Sequence, residues 1–249
     1  MPLITSANTN SDLNNPATTT VNGTTDADAF LLDSAANTGD DTLVLQKHDS
    51  LLTTRKIFDG NNDGIITFGG NGTLDVDKTG PSAGQDSLTL PGINPQVGLR
   101  YLGSSDGYFV YADASVRLKG FKEGTVGNNA LNGTASNDSF FYDTALGLRL
   151  GDDTITNFSA TDRLITTTKI FDSNGDNIVT FGGDGVLGLP GSQGNEVGSP
   201  GGALGGTVQI TDTGGNQVTE LQHDGVTTVN GVDYYIYSLV GGASNTALP

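Results

Sequence analysis

The chain has 249 residues, among them 37 glycines, 8 prolines and no cysteine, which excludes a largely helical fold and any disulfide or thiolate chemistry. Its formal net charge is −17, from 28 acids against 11 Lys and Arg, which argues against a nucleic-acid partner, since phosphate binding needs cations. Only Glu123, Glu196 and Glu220 are glutamates; the bias to Asp, the short carboxylate, suits turns and loops that fold around a hard cation.

In chain order, residues 1–20, MPLITSANTNSDLNNPATTT, form a polar N-terminal arm. The arm has neither a basic n-region nor an apolar h-region, so it does not read as an N-terminal secretion signal. No apolar run approaches the ~18 residues that would span a membrane. A first unit, residues 21–126, then carries the strand signals AFLLD, TLVLQ, GIITFG, YFVYA and SVRLKGF, short β-branched or aromatic runs bounded by Gly, Asn and Asp. A second unit, residues 127–249, carries SFFYD, TITNF, NIVTFG, TVQITD, QVTELQ and DYYIYSLV, with TDTGGNQ and QHDGVTT expected as hairpin turns.

The two units are written from the same text. NGTTDADAFLLD (22–33) matches NGTASNDSFFYD (132–143), GDDTLVLQKHDSLL matches GDDTITNFSATDRLI, and GGNGTLDV matches GGDGVLGL, in the same order. The expected fold is therefore all-β, a tandem duplication of a unit of about 110 residues with a β-sandwich or β-roll character.

FDGNNDGIITFGG (58–70) returns as FDSNGDNIVTFGG (171–183). Asp59, Asn61 and Asp63 stand at positions 1, 3 and 5 of a calcium loop, Gly64 at the sharp turn, and the Ile65 carbonyl at position 7. The second copy supplies Asp172, Asn174, Asp176, Asn177 at the turn, and the Ile178 carbonyl. Calcium takes six to eight hard oxygens, and alternate short side chains folded inward by a tight loop supply three. Position 12, an acid in an EF-hand, is Gly70 or Gly183, and the flanks read as strands. Asn71 and Asp184, one position later, are candidate further ligands, and so few carboxylates suit weak binding at extracellular calcium levels. The competing reading is an Asp/Asn-rich turn without metal.

GDDTITNFSATDRL and GNNALNGTASNDSF resemble the calcium-binding segments of the RTX family of secreted bacterial proteins, and VNGTTDADAF is the first-unit counterpart of the latter. The resemblance implies calcium ligation at Asp138, Asp152 and Asp153, and at Asp26, Asp28, Asp40 and Asp41 in the first unit. It also implies export without an N-terminal signal and folding on meeting external calcium. GGNGTLDVD and GGDGVLGLP misplace or lose the Asp of the family's nonapeptide, and no run of consecutive nonapeptides exists, so a long roll is not expected.

No HExxH, GxSxG or P-loop pattern is present, and His48 and His223, each next to an Asp, would point to the opposite strand face from it. A non-enzymatic protein is expected. Two roles fit: a calcium-stabilised extracellular building block that polymerises with itself, its arm adding as a strand to a neighbour's sheet edge, or an adhesin binding cell-surface glycan. For the latter, Tyr101, Tyr108, Tyr111, Tyr234, Tyr235 and Tyr237 are candidate sugar-stacking faces, with sheet packing as the competing role for each.

Overall fold

The structure is a computed structural model that describes residues 2–36, 39–68, 72–77, 86–190, 205–243 and 246–249. It is all-β, in two similar halves. One compact unit is Ala7–Val116; the other is Arg117–Pro249 together with the first six residues.

In the first unit β1 (Asn8–Asn10), β2 (Thr20–Asn22), β3 (Asp28–Leu32), β4 (Asp40–Val44) and β5 (Ser50–Thr53) alternate between two sheets. β1, β3 and β5 pair in parallel in one sheet, and β2 pairs in parallel with β4 in the other. Each turn of chain thus adds one strand to each sheet, which makes a short parallel roll. Then come β6 (Ile65–Ile66), β7 (Thr73–Asp75), β8 (Ser87–Thr89), β9 (Leu99–Ser105) and β10 (Tyr108–Asp113). The β9–β10 hairpin packs antiparallel against β5, giving the order β1-β3-β5-β10-β9-β6, and the second sheet runs β2-β4-β8-β7.

The second unit repeats this strand for strand with β11 (Lys122–Glu123), β12 (Ala130–Asn132), β13 (Ser139–Tyr142), β14 (Asp152–Phe158), β15 (Arg163–Thr166), β16 (Ile178–Thr180), β17 (Leu187–Gly188), β18 (Thr207–Asp212), β19 (Glu220–Val229) and β20 (Val232–Leu239). Its sheets run β11-β13-β15-β20-β19-β16 and β12-β14-β18-β17. In its roll Ser139 lies beside Arg163 and Ala130 beside Thr154, a step of 24 residues per turn.

The residue patterns follow from this layout. β5 and β13 are buried at every position and read as unbroken runs, SLLT and SFFY, because both faces of their sheet are covered. β14 has one buried face, and its residues alternate along Asp152–Ile155. Leu13, Phe30, Leu43, Leu51, Leu88 and Leu99 belong to the core of the first unit.

Three expectations are corrected. Asn8–Asn10 is no part of a free arm: it is the opening strand of the first unit, and Leu3–Ser6 is bonded within the second. SVRLKGF is not a strand. Ala114–Val116 is a turn of 3-10 helix that buries Val116, and Phe121 is buried from irregular chain. QHDGVTT is not a turn: β19 runs through it with a bulge between His223 and Gly225, and the chain reverses at Asn230–Gly231. The TDTGGNQ turn is where expected, closed by the Gly215 N–H on the Asp212 carbonyl. Among the described residues no helix is long and apolar enough to cross a membrane.

Candidate functional site

Both repeated loops lie between the last strand of the roll and a two- or three-residue strand on the sheet edge, β6 or β16. Each loop is wound around its first Asp. Asp59 Oδ1 accepts the amides of Asn61 and Asn62 at 3.2 and 2.9 Å, and Oδ2 that of Gly64 at 2.8 Å. Asp172 accepts those of Asn174, Gly175 and Asn177 at 3.3, 2.9 and 2.8 Å. The third acid caps the way out: Asp63 accepts from the Ile65 amide and Asp176 from the Ile178 amide, both at 2.8 Å. Asn61 Nδ2 meets Asp63 Oδ2 at 2.9 Å, and Asn174 Nδ2 meets Asp176 Oδ2 at 3.0 Å, placing positive amide hydrogens against the carboxylate.

Two loop positions need a left-handed backbone. They hold Asn62 (φ 55°) and Gly64 (φ 81°) in one copy and Gly175 (φ 74°) and Asn177 (φ 67°) in the other. The Asn and Gly change places, and both are residues that tolerate this region. Although burial pulls the Asp172 carboxyl upward, the three backbone amides outweigh it and hold the group below its usual range.

The position-7 carbonyls are aimed by sheet register. Ile65 faces Arg100, while the Tyr101 amide donates to the Gly64 carbonyl one step away. Ile178 faces Gln222, while the His223 amide donates to the Asn177 carbonyl. Both isoleucines therefore stand at non-hydrogen-bonded positions, where C=O and N–H turn away from the partner strand. The Asn61 and Asn174 amide oxygens accept the Asp63 and Asp176 amides at 3.2 and 3.1 Å, so the side-chain oxygens of each loop all accept N–H groups of the loop itself, as in an Asx-rich turn, and the position-7 carbonyl alone faces outward. Asp184 is exposed and caps the Val186 amide; Asn71 lies outside the described residues.

A buried tyrosine, not anticipated from the sequence as part of the site, anchors each loop. The Tyr111 hydroxyl accepts the Ile57 amide at 2.8 Å and the Tyr237 hydroxyl the Ile170 amide at 2.8 Å, two residues ahead of Asp59 and Asp172. Tyr111, Tyr234 and Tyr237 are fully buried, so they pack the sheet and offer no sugar face. Tyr101 is half-buried, with the Lys56 ammonium 4.6 Å from its ring centre.

The other acids serve the turns of the roll. Thr24 donates through N–H and hydroxyl to Asp28, whose own amide donates to Asp49 at 3.0 Å. Thr134, Asp138 and Asp162 repeat this, with 2.8 Å for the last bond. In the second unit the Lys122 ammonium also pairs with Asp138 at 2.7 Å. Burial works to raise the Asp138 carboxyl, but Lys122 and Thr134 prevail and lower it. Asp41 accepts the Thr19 amide at 2.7 Å and Asp153 the Asn129 amide at 2.6 Å; each is buried, and the second oxygen of Asp41 is without a partner. Burial raises Asp41 and pushes Asp153 up to about 7 and Asp49 up to about 6. Asp40 accepts from Ser87, and Asp152 from Thr207 and from Arg149. Asp26 is exposed, and its amide donates to the Thr24 hydroxyl. Among the described residues no three His, Asp or Glu side chains converge as a metal cluster, so the candidate ligands form separate groups.

Beside the first loop opens a cleft of about 480 Å³ lined by Phe58, Asp59, Asn61, Ile65, Thr67 and Phe68, among others. Phe58 is 37% exposed and its counterpart Phe171 38%.

No protein family, curated protein or solved structure matches the chain.

Proposed function

We propose that the protein is a calcium-stabilised extracellular structural protein that assembles with copies of itself into a surface layer, filament or matrix. The observation that carries the reading is the twin loop. Two copies more than a hundred residues apart keep the same donor types, the same five-residue amide wrapping and the same outward carbonyl, although Asn and Gly trade places within them. Bare turns of this kind need only one Asx capping bond. Two loops that each keep five side-chain oxygens on alternate residues, all turned onto the loop, exceed that need, which favours a shared cation. The high negative charge supports it, since self-repulsion loosens a metal-free chain and bound cations relieve it. Signal-independent bacterial export follows from the RTX resemblance of GDDTITNFSATDRL, and a chain with no disulfide gains a metal staple instead. The role is non-enzymatic.

The test is calcium titration followed by circular dichroism and light scattering. Melting should rise, and particles of defined size should grow, on adding calcium to protein stripped with EDTA. Identical melting in both conditions would sink the calcium assignment. A protein that stays monomeric at every calcium level would sink the structural role.

A second reading, a calcium-dependent adhesin, is favoured by the cleft, where an exposed Phe58 ring stands next to the Asp59 loop, a pairing of apolar face and polar groups that suits a sugar ring. Binding to a glycan array in millimolar calcium, lost in EDTA, separates it from the first.

A further inference from the structure

Leu3–Ser6 forms a strand-like tie to residues 147–149. Ile4 and Leu148 make an antiparallel bridge, the Arg149 amide donates to the Leu3 carbonyl at 2.7 Å, and the Gly147 carbonyl accepts the amides of Thr5 and Ser6 at 2.9 and 3.0 Å and the Thr5 hydroxyl at 2.8 Å. Leu3 is 3% and Leu148 1% exposed. Donor and acceptor are 142 residues apart in the chain. After the exposed Ser6 the chain passes into the other compact unit, where Asn8 is already bonded to Ala27. The tie therefore belongs to one unit while its covalent continuation is a different one.

From this we infer that residues 2–6 are an exchangeable strand that docks on residues 147–149 of a second copy and links copies head to tail. This rests on the self-assembly reading and names its contact. The segment is five residues long and is tied mainly through its backbone, so it opens more readily than the folded units around it. The recognition is mostly backbone to backbone, as in strand addition, and every copy carries both donor and acceptor. The exchanged contact reproduces the internal one atom for atom, so it needs no new surface. Because donor and acceptor are different patches, the contact is heterologous and extends into a filament unless a ring closes.

The chain's lack of cysteine makes the test direct. Bridge partners in an antiparallel pair have Cα atoms ~4.5–5.5 Å apart, within disulfide range, so the double variant Ile4→Cys/Leu148→Cys reports where each strand docks. Tagged and untagged double variants are mixed at high concentration in calcium, oxidised, and their disulfides mapped by mass spectrometry. Tagged-to-untagged bonds are expected, as a ladder of multimers on a non-reducing gel. Double variant oxidised while dilute should be locked as monomer and assemble only after reduction. Disulfides found solely within single chains, in assembled or unassembled material, overturn the proposal. Wild-type protein that stays monomeric in calcium overturns the self-assembly reading instead, and inter-chain bonds alongside that result would leave strand exchange standing without polymer. Thr5→Pro, which deletes the amide and hydroxyl donors of Thr5, guards against misfolding at Leu148: it weakens the internal and the exchanged contact alike, so tagged and untagged copies should exchange strands at least roughly fivefold faster, and an unchanged exchange rate with native circular dichroism counts against the strand.

Discussion

The amide of Asp138 donates at 2.8 Å to the carboxylate of Asp162, twenty-four residues further on, and Asp162 also accepts the Ser159 amide at 2.8 Å. Asp28, Asp49 and Gln46 do the same in the first unit at 3.0 and 2.7 Å. A buried carboxylate thus joins one turn of the roll to the next, satisfying amides that the sheet ladder leaves over. Asp162→Ala should lower stability by about 2–4 kcal/mol, from two amides stripped of their acceptor. Urea unfolding of the variant measures it; a loss within error of zero would show the pair to be incidental.

The loop anchors give a prediction that separates metal from turn. Tyr237→Phe leaves the ring packed but frees the Ile170 amide ahead of Asp172, which should cost about 1–3 kcal/mol in EDTA and also weaken calcium affinity. Asp172→Ala should abolish the calcium-dependent part of the stabilisation from that loop. If Asp172→Ala destabilises equally with calcium and with EDTA, the loop is a turn and nothing more.

Stability should fall as pH rises from about 4 to 7 in EDTA. Asp49 and Asp153 have carboxyls raised to about 6 and about 7 by burial. The folded protein therefore holds their protons more tightly than the unfolded chain, and the stability this adds is full below the unfolded value and lost as pH climbs through 6 and 7. Asp138 and Asp172, held low, act the other way and lose their contribution only in stronger acid. Asp153→Asn keeps an oxygen for the Asn129 amide and should flatten the slope and raise the melting temperature at pH 8. A flat wild-type profile over this range would contradict the burial argument.

Glycine positions divide into two kinds. A Cβ on Gly133 would lie 2.3 Å from the Asn157 carbonyl oxygen on the neighbouring turn, so Gly133→Ala should cost about 3 kcal/mol or more, through overpacking against backbone. Gly175 has open space and a left-handed backbone that Asn62 adopts in the other copy. Gly175→Asn should therefore change stability by under about 1 kcal/mol. Thermal melts of the two variants side by side decide it.

The duplication and the two loops were legible because the residues that make them are local: thirteen positions spelled twice, with each Asp capping amides two to five residues away. Strand existence was legible for the same reason, in runs such as SFFY. The parallel pairing within the roll was less so, because partners lie 18 to 24 residues apart with no hairpin between them. At QHDGVTT a good local turn signal lost to a ten-residue strand that absorbs Gly225 as a bulge. The tyrosine anchors act across 54 and 67 residues through a side-chain oxygen, and nothing in Tyr111 or Tyr237 as letters separates an anchor from a packing ring. Asp49 and Asp162 stood aligned in the two copies, and that alignment was the available signal for their shared role.

The 24-residue step from Ser139 to Arg163 and from Ala130 to Thr154 also sets the unit by which this part of the roll can grow. Each full turn ends with its backbone beside the start of the last, so an insertion of one turn's worth of residues leaves every row in step, while a single extra residue within a strand turns the buried side outward. Growth of such a chain by duplication can therefore proceed in whole coils, and residues 139–162, copied once more in place, should add one rung to each sheet.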